Sequence, residues 1–174
     1  MGFAVEMYFD DPSEQAIRKM WAAAGSSLLE MNAAPHISLS LHEDVDTARM
    51  DRLLREFTAR TPCLPVSFPA LGSFLSPEGV IYLAPAVTEP LLGLHRAFHQ
   101  ALDEAGIPSH PYYRPGGWMP HCTVDMNLSA DELQRKFSVC REFPPLIGAK
   151  VVSIGLISYQ PVVDLFRHPL KAVD

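Results

Sequence analysis

Two short stretches of the sequence place a histidine two positions before a hydroxyl residue. Residues 35–38 read Pro-His-Ile-Ser, and residues 120–123 read Pro-His-Cys-Thr. Alternate side chains of a β-strand project to the same face, so each imidazole would lie about 6–7 Å from its hydroxyl along the strand. Near neutral pH, one histidine can take up a proton while another donates one. Two such faces meeting across a cleft would suit phosphoester chemistry, with the hydroxyls holding the phosphate.

The repetition favours a functional interpretation over chance. A single His followed by Ser or Thr two positions later is common, but two such stretches, each after Pro, are much less easily accidental. We therefore take His36 and His121 as the candidate acid and base, and Ser38 and Thr123 as the candidate phosphate-binding hydroxyls.

Each motif lies in a similar succession of predicted elements. Residues 36–42 alternate as a strand, and residues 46–60 place apolar side chains at helical spacing. Residues 121–129 also alternate, and Ser129 with Glu132 forms a capping box that predicts a following helix. A strand followed by a helix around each motif predicts two related α+β lobes.

The remaining predicted elements complete both lobes. We expect strands at 3–9, 63–75, 79–85, 150–160 and 162–170. We expect one helix directly after the first strand, ending at Gly25, and another at 89–106, ending at Gly106. Two prolines within 63–75 predict an edge or bulged strand there.

Length and composition restrict the class of protein. The 174 residues and 48% hydrophobic content suit one bilobal domain over residues 1–174. A net charge of −6 without a basic stripe argues against a general DNA- or RNA-coating role. No apolar run reaches the roughly 18–20 residues of a membrane span. Three cysteines without paired spacing fit a reducing compartment, so we expect a cytoplasmic protein.

Aromatic side chains near the second motif are further binding candidates. The loop 111–120 offers stacking faces for a base and one cation for a phosphate. The candidates are Tyr112, Tyr113, Arg114 and Trp118 in this loop, with Tyr82 and Tyr159 on predicted strands. The alternative is that these residues pack the loop onto the core. We assign Phe74 to packing.

His95 and His99 raise a metal alternative. They lie four positions apart on a predicted helix, a spacing that could bring two imidazoles to one metal ion. The intervening residues lack the glutamate of the HExxH pattern, and no third ligand is evident, so we expect no metal and no cofactor.

The motifs at 36–39 and 121–124 resemble the paired His-x-Ser/Thr-hydrophobic motifs of the two-histidine (2H) phosphoesterase superfamily, which includes 2′-5′ RNA ligase-like proteins and cyclic nucleotide phosphodiesterases. The resemblance covers most of the chain. It implies a bilobal, pseudosymmetric α+β fold with antiparallel-rich sheets, helices outside and a central cleft. It also implies metal-independent cleavage or formation of 2′-linked phosphoesters, with His36 and His121 as the acid–base pair.

These observations predict a phosphodiesterase acting on a cyclic phosphodiester or a short 2′-linked nucleotide, with an RNA end as a further candidate partner. Asp125 would share a strand face with His121 and Thr123, where its carboxylate would oppose a long polyanion. The alternatives are a noncatalytic module that binds a nucleotide or an RNA end, and an RNA 2′-5′ ligase. Both histidines and both hydroxyls are intact, which favours catalysis.

Overall fold

The computed structural model describes residues 2–159 and 161–172. The strands are β1 (Gly2–Phe9), β2 (His36–His42), β3 (Leu64–Phe68), β4 (Ala70–Gly72), β5 (Ile81–Ala84), β6 (Cys122–Asp125), β7 (Leu146–Tyr159) and β8 (Val163–Pro169). The α-helices are α1 (Asp11–Ala24), α2 (Thr47–Arg60), α3 (Glu89–Glu104) and α4 (Ala130–Cys140). Short 3₁₀ turns span Ser27–Leu29 and Pro111–Tyr113. None of these helices combines the length and the apolar character that crossing a membrane requires.

The strands form two antiparallel sheets. The larger sheet has the order β2-β1-β7-β3, and the long strand β7 pairs with β3 through its first half and with β8 through its second half. The smaller sheet has the order β4-β5-β6. The two motif strands, β2 and β6, therefore each lie at one end of a sheet, and they contact each other.

The chain passes twice through the order strand, helix, strand, helix. The first series is β1-α1-β2-α2 and the second is β5-α3-β6-α4. One cluster of buried apolar side chains extends from Val5 and Ile37 in the larger sheet to Ile81 and Val124 in the smaller sheet. The predicted α+β class with antiparallel sheets is confirmed.

Local signals set the helix ends as the sequence predicted. The capping box between Ser129 and Glu132 is formed at the start of α4. Gly25 after α1 and Gly106 after α3 both have a φ of +61°, a left-handed conformation that glycine adopts without a steric penalty.

Two predicted strands differ from the structure. The stretch 63–75 divides at Pro69, so that β3 joins the larger sheet and β4 joins the smaller one. Proline has no backbone N–H to donate to a neighbouring strand, so strand pairing is interrupted at Pro69, where the chain passes from one sheet to the other. The strand predicted at 121–129 ends at Asp125, and Asn127 has a left-handed φ of 58°. Gln160, predicted as the last residue of a strand, lies outside the described residues.

The predicted position of Asp125 on the site face is wrong. The pairing of β6 with β5 shifts register, so that Thr123 pairs with Tyr82 while Asp125 pairs with the adjacent Ile81. Adjacent strand residues face opposite sides, so Asp125 points away from Thr123. Its carboxylate is fully buried and accepts hydrogen bonds from the Ser27 Oγ at 2.8 Å and the Lys136 Nζ at 2.5 Å.

We predict that Asp125→Ala lowers the free energy of unfolding by about 3 kcal/mol, because it removes one partner of a buried ion pair. Urea unfolding followed by circular dichroism measures this change. Asp131→Ala is the matched control, since this exposed carboxylate in the first turn of α4 should contribute less than about 1 kcal/mol. A loss below about 1 kcal/mol for Asp125→Ala would contradict the structural role.

Candidate active site

Both motif histidines are held by the same backbone contact. The Nδ1 of His36 lies 2.7 Å from the Ala34 carbonyl oxygen, and the Nδ1 of His121 lies 2.8 Å from the Met119 carbonyl oxygen. A carbonyl can only accept, so each Nδ1 carries a proton and donates it. The Nε2 of each ring is therefore the atom that can exchange a proton with a substrate.

Both motif strands carry a β-bulge directly after the hydroxyl residue. The extra residue is Leu39 in β2 and Val124 in β6. The carbonyl of Leu39 accepts a hydrogen bond from the His99 Nε2 at 3.1 Å, and the carbonyl of Val124 accepts one from the Ser26 Oγ at 2.6 Å. Bulges of this kind redirect side chains beside active sites.

The two tryptophans of the chain connect the halves crosswise. Trp21, on α1 of the first half, donates from Nε1 to the Thr123 carbonyl of the second motif at 3.2 Å. Trp118, which precedes the second motif, donates from Nε1 to the Ser38 carbonyl of the first motif at 3.0 Å. These bonds fix the backbone of each hydroxyl residue against the opposite half.

A buried carboxyl lies beside His36. The pairing of β1 with β2 places Glu6 opposite Ser38 and Tyr8 opposite His36, all on one face. The Glu6 Oε1 lies 3.2 Å from the His36 Nε2, and the Glu6 Oε2 accepts a hydrogen bond from the Tyr8 hydroxyl at 2.8 Å. Glu6 is 4% exposed, and this burial raises the pKa of its carboxyl, although the charge of His36 opposes the rise.

Arg167 extends the same face. Gly155 of β7 pairs with Glu6 on one side and with Arg167 of β8 on the other. Because Gly155 has no side chain, the guanidinium lies over the Tyr8 ring, 3.4 Å from its centroid. The sequence pattern identified neither Glu6 nor Arg167. The available signal for Glu6 was a single charged residue in the otherwise uncharged strand "GFAVEMYF".

His121 lies among aromatic rings. The rings of Phe74 and Tyr82 pack edge-on against its imidazole, with centroids at 4.9 Å and 5.5 Å. Burial lowers the pKa of His121, and the nearby charge of His36 lowers it further. Phe74, which we assigned to packing from the sequence, thus packs against the second motif histidine. The two imidazoles share one site but have different surroundings.

The structure places the loop candidates in different environments. Tyr112 is 79% exposed, whereas Tyr113 is partly buried, and burial with nearby Glu6 and Tyr159 raises its pKa. Arg114 forms a bidentate ion pair with Asp103 of α3, at 3.0 Å and 2.8 Å. A role for Arg114 in binding substrate stays a prediction, because this ion pair already engages its guanidinium.

Of the two helix histidines, His95 supports the loop and His99 binds the Leu39 carbonyl of β2. The His95 Nε2 donates to the Tyr113 carbonyl at 2.8 Å, and its ring stacks on Trp118 with centroids 3.9 Å apart. Burial lowers the pKa of His95 to about 4, so it is neutral near pH 7. In the part of the chain that the structure describes, no group of three or more His, Cys, Asp or Glu side chains is arranged to hold a metal ion.

A cavity of about 390 Å³ continues the face of the larger sheet beyond Ser38. Leu41 lines it and pairs with Ala4, two residues before Glu6 on the same face. Tyr159 lines it from β7, and the remaining walls come from residues 42–44 and 108–111.

Comparisons with known proteins identify relatives. A model of the 2′-5′ RNA ligase superfamily matches residues 9–162. A putative phosphoesterase, GK0864, of Geobacillus kaustophilus (strain HTA426) is 28% identical over 107 residues, which span 60% of this chain and 58% of the length of that relative.

Three solved structures share the architecture. A phosphoesterase crystal structure has a TM-score of 0.64 at 17% identity, covering 98% of both chains. E. coli LigT complexed with 3′-AMP has a TM-score of 0.63 at 16% identity, covering 97% of both chains. TT0787 of Thermus thermophilus has a TM-score of 0.59 at 17% identity, covering 99% of both chains.

We predict that the imidazole of His121 titrates with a pKa below the ordinary value of about 6.5. His36→Gln should raise this pKa by removing the neighbouring charge, yet leave it below the ordinary value because burial, the larger cause, remains. NMR of the His121 ring protons as a function of pH measures this pKa in the wild type and in His36→Gln. His168→Gln, which alters a histidine paired with Asp51, should leave the titration unchanged. A pKa of His121 at or above the ordinary value would contradict the description of the site.

Proposed function

Since the chain belongs to the 2′-5′ RNA ligase superfamily, we propose that it is a metal-independent phosphodiesterase that hydrolyses a cyclic phosphodiester or a short 2′-linked nucleotide. The observation that carries this proposal is the matched pair of histidines, each with Nδ1 bound to a backbone carbonyl and Nε2 left for proton exchange. A module that only binds a nucleotide needs no matched acid and base.

The hydroxyls of Ser38 and Thr123 supply the phosphate contacts in this proposal. Both residues are half-buried, and neither side chain is hydrogen-bonded to another described residue. Their backbones are fixed by the two tryptophans, so each hydroxyl is held in place to donate to a non-bridging phosphate oxygen. Donors fixed in advance stabilise the charge that develops on a phosphate as it reacts.

The size and charge of the site favour a small substrate. The cavity beside Tyr159 has room for a nucleoside, and the exposed carboxylates of Glu43 and Asp44 at its edge would repel further phosphates of a long chain. The structures of E. coli LigT complexed with 3′-AMP and with NADP+ support a nucleotide as the class of ligand. A short RNA end presenting a single phosphodiester fits the same limits.

The aromatic candidates take different roles in this proposal. Tyr113 and Tyr159 border the face between Glu6 and the cavity, where a base could stack. Tyr82 supports His121, and Trp118 supports Ser38, so both act on the substrate through their neighbours. Tyr112 is exposed beside the loop, where it could contact a substrate that extends beyond the cavity.

We predict that His36→Ala and His121→Ala each lower kcat by about 10²–10⁴-fold while the fold and substrate binding persist, because each removes one proton-transfer step. Ser38→Ala and Thr123→Val should lower kcat on the order of 10²–10³-fold. A panel of cyclic mononucleotides, ADP-ribose cyclic phosphate and 2′-5′ dinucleotides, with product identification, measures these effects. His168→Gln serves as the histidine control and should keep wild-type activity. Binding without turnover in the wild type would instead support a noncatalytic module.

We also predict that EDTA leaves the rate of phosphodiester hydrolysis unchanged. The imidazoles supply proton transfer and the hydroxyls supply charge stabilisation, which are the tasks that a metal ion performs in metal-dependent hydrolases. The assay compares the rate before and after chelation at constant pH. Loss of activity on chelation, restored by zinc or manganese, would refute the two-histidine mechanism and favour a metallohydrolase.

A further inference from the structure

We propose that Glu6 is a positioning residue that shares one proton with His36, and that this arrangement makes His36 the general acid and His121 the general base. The inference rests on the proposed function, and it assigns to each histidine the role that the motifs alone leave open. It depends on the contact between the Glu6 Oε1 and the His36 Nε2 at 3.2 Å.

The hydrogen bonds around this contact determine which atoms of the pair are free to hold a proton. The Nδ1 of His36 donates to the Ala34 carbonyl, so in the neutral ring the Nε2 carries a lone pair. The Glu6 Oε2 accepts from the Tyr8 hydroxyl, which leaves Oε1 facing Nε2. At 3.2 Å the two atoms face each other as an ion pair, which holds its proton either as imidazolium beside carboxylate or as carboxylic acid beside imidazole. Both states hold the same single proton.

The surroundings of Glu6 favour retention of that proton. Burial raises the pKa of the carboxyl, and this cause is larger than the opposing effect of the His36 charge. The groups that face Glu6 are Tyr8 on β1, His36 on β2, Cys122 on β6, Asp164 and Arg167 on β8, and Tyr113 in the 3₁₀ turn. The effects of Asp164 and Arg167 oppose each other, because the carboxylate raises the pKa of Glu6 and the guanidinium lowers it.

His121 lacks an equivalent partner. Within residues 2–159 and 161–172 no carboxylate forms an ion pair with it, and its neighbours are the rings of Phe74 and Tyr82. Burial and the charge of His36 lower its pKa, which favours the neutral imidazole, the form that accepts a proton. The Glu6–His36 pair therefore acts as the acid and donates a proton, and His121 acts as the base and accepts one.

The assignment gives a balanced hydrolysis step. The Nε2 of His121 takes a proton from water as the water oxygen bonds to phosphorus. The bond from phosphorus to the leaving oxygen breaks, and that oxygen receives the proton shared by Glu6 and His36. After the step, His121 is protonated and the Glu6–His36 pair has lost one proton. Proton exchange with solvent restores both groups without any further reactant.

The first test is the pH dependence of kcat/KM for Glu6→Gln, on whichever phosphodiester the wild type hydrolyses. Glutamine keeps the shape of the side chain but cannot share the proton, so the alkaline limb should move to lower pH by about one unit or more. The acidic limb, which reports His121, should move much less. Tyr8→Phe is the comparison variant: it keeps the carboxyl but removes a hydrogen bond that lowers the pKa of Glu6, so its alkaline limb should not move to lower pH.

The outcomes separate the possible failures. A merely structural role for Glu6 would lower the rate equally at all pH values, and an unmoved alkaline limb in an active Glu6→Gln enzyme would overturn this inference alone. Absence of phosphodiester hydrolysis by the wild type would overturn the proposed function itself, and this inference with it.

A second test does not depend on the folding of Glu6→Gln. A p-nitrophenolate leaving group needs little protonation as it departs. Loss of the general acid should therefore lower the rate of hydrolysis less for a p-nitrophenyl phosphodiester of a nucleoside than for an alkyl diester. For His36→Ala, the factor by which the rate falls should be at least about tenfold smaller with the aryl ester than with the alkyl ester. His121→Ala should lose similar factors on both. The reverse pattern would assign the acid to His121 and overturn the proposal.

Discussion

The site depends on hydrogen bonds to the carbonyls of two strands at the ends of separate sheets. An end strand has backbone groups without a strand partner on one side, and these groups need other contacts. Here the indole of Trp118 and the imidazole of His99 bind the first motif strand, while the indole of Trp21 and the hydroxyl of Ser26 bind the second. Each tryptophan belongs to the half that carries the other motif, so the bonds that complete each strand also set the two motifs against each other.

This scaffold is nearly symmetric, but the chemical surroundings of its two histidines are not. Both rings use Nδ1 in the same backbone contact and both strands bulge at the same position. The residue that pairs with the hydroxyl residue, however, is Glu6 in one sheet and Tyr82 in the other. Acid–base catalysis by two like groups requires that their environments separate their proton affinities. Glu6 and Tyr82, at corresponding positions, thus give the two histidines different surroundings, which the similar backbone geometry alone would not.

The sequence predicted those features that depend on short-range signals. The motif strands, the capping box at Ser129 and the glycine helix ends follow from local pattern and backbone preference, and the structure contains them. The position of Asp125 could not be predicted, because one extra residue in a strand reverses the face of everything after it. The contacts of Glu6 and Phe74 with the motif histidines join segments far apart in the sequence, and the pairing of Arg114 with Asp103 joins a loop to the preceding helix; periodicity encodes neither kind of contact.

The corrected position of Asp125 changes the electrostatics of the proposed phosphate site. Its charge is neutralised by Lys136 on the opposite side of β6, whereas the carboxyl of Glu6 lies on the site face, opposite Ser38 in the strand pairing. A free carboxylate there would repel a phosphodiester, whereas a carboxyl that shares a proton with His36 repels it much less. The phosphodiester charge in turn raises the affinity of the Glu6–His36 pair for its proton. In the proposed mechanism, substrate binding and retention of this proton stabilise each other, because a site that had lost the proton would bind the phosphodiester more weakly.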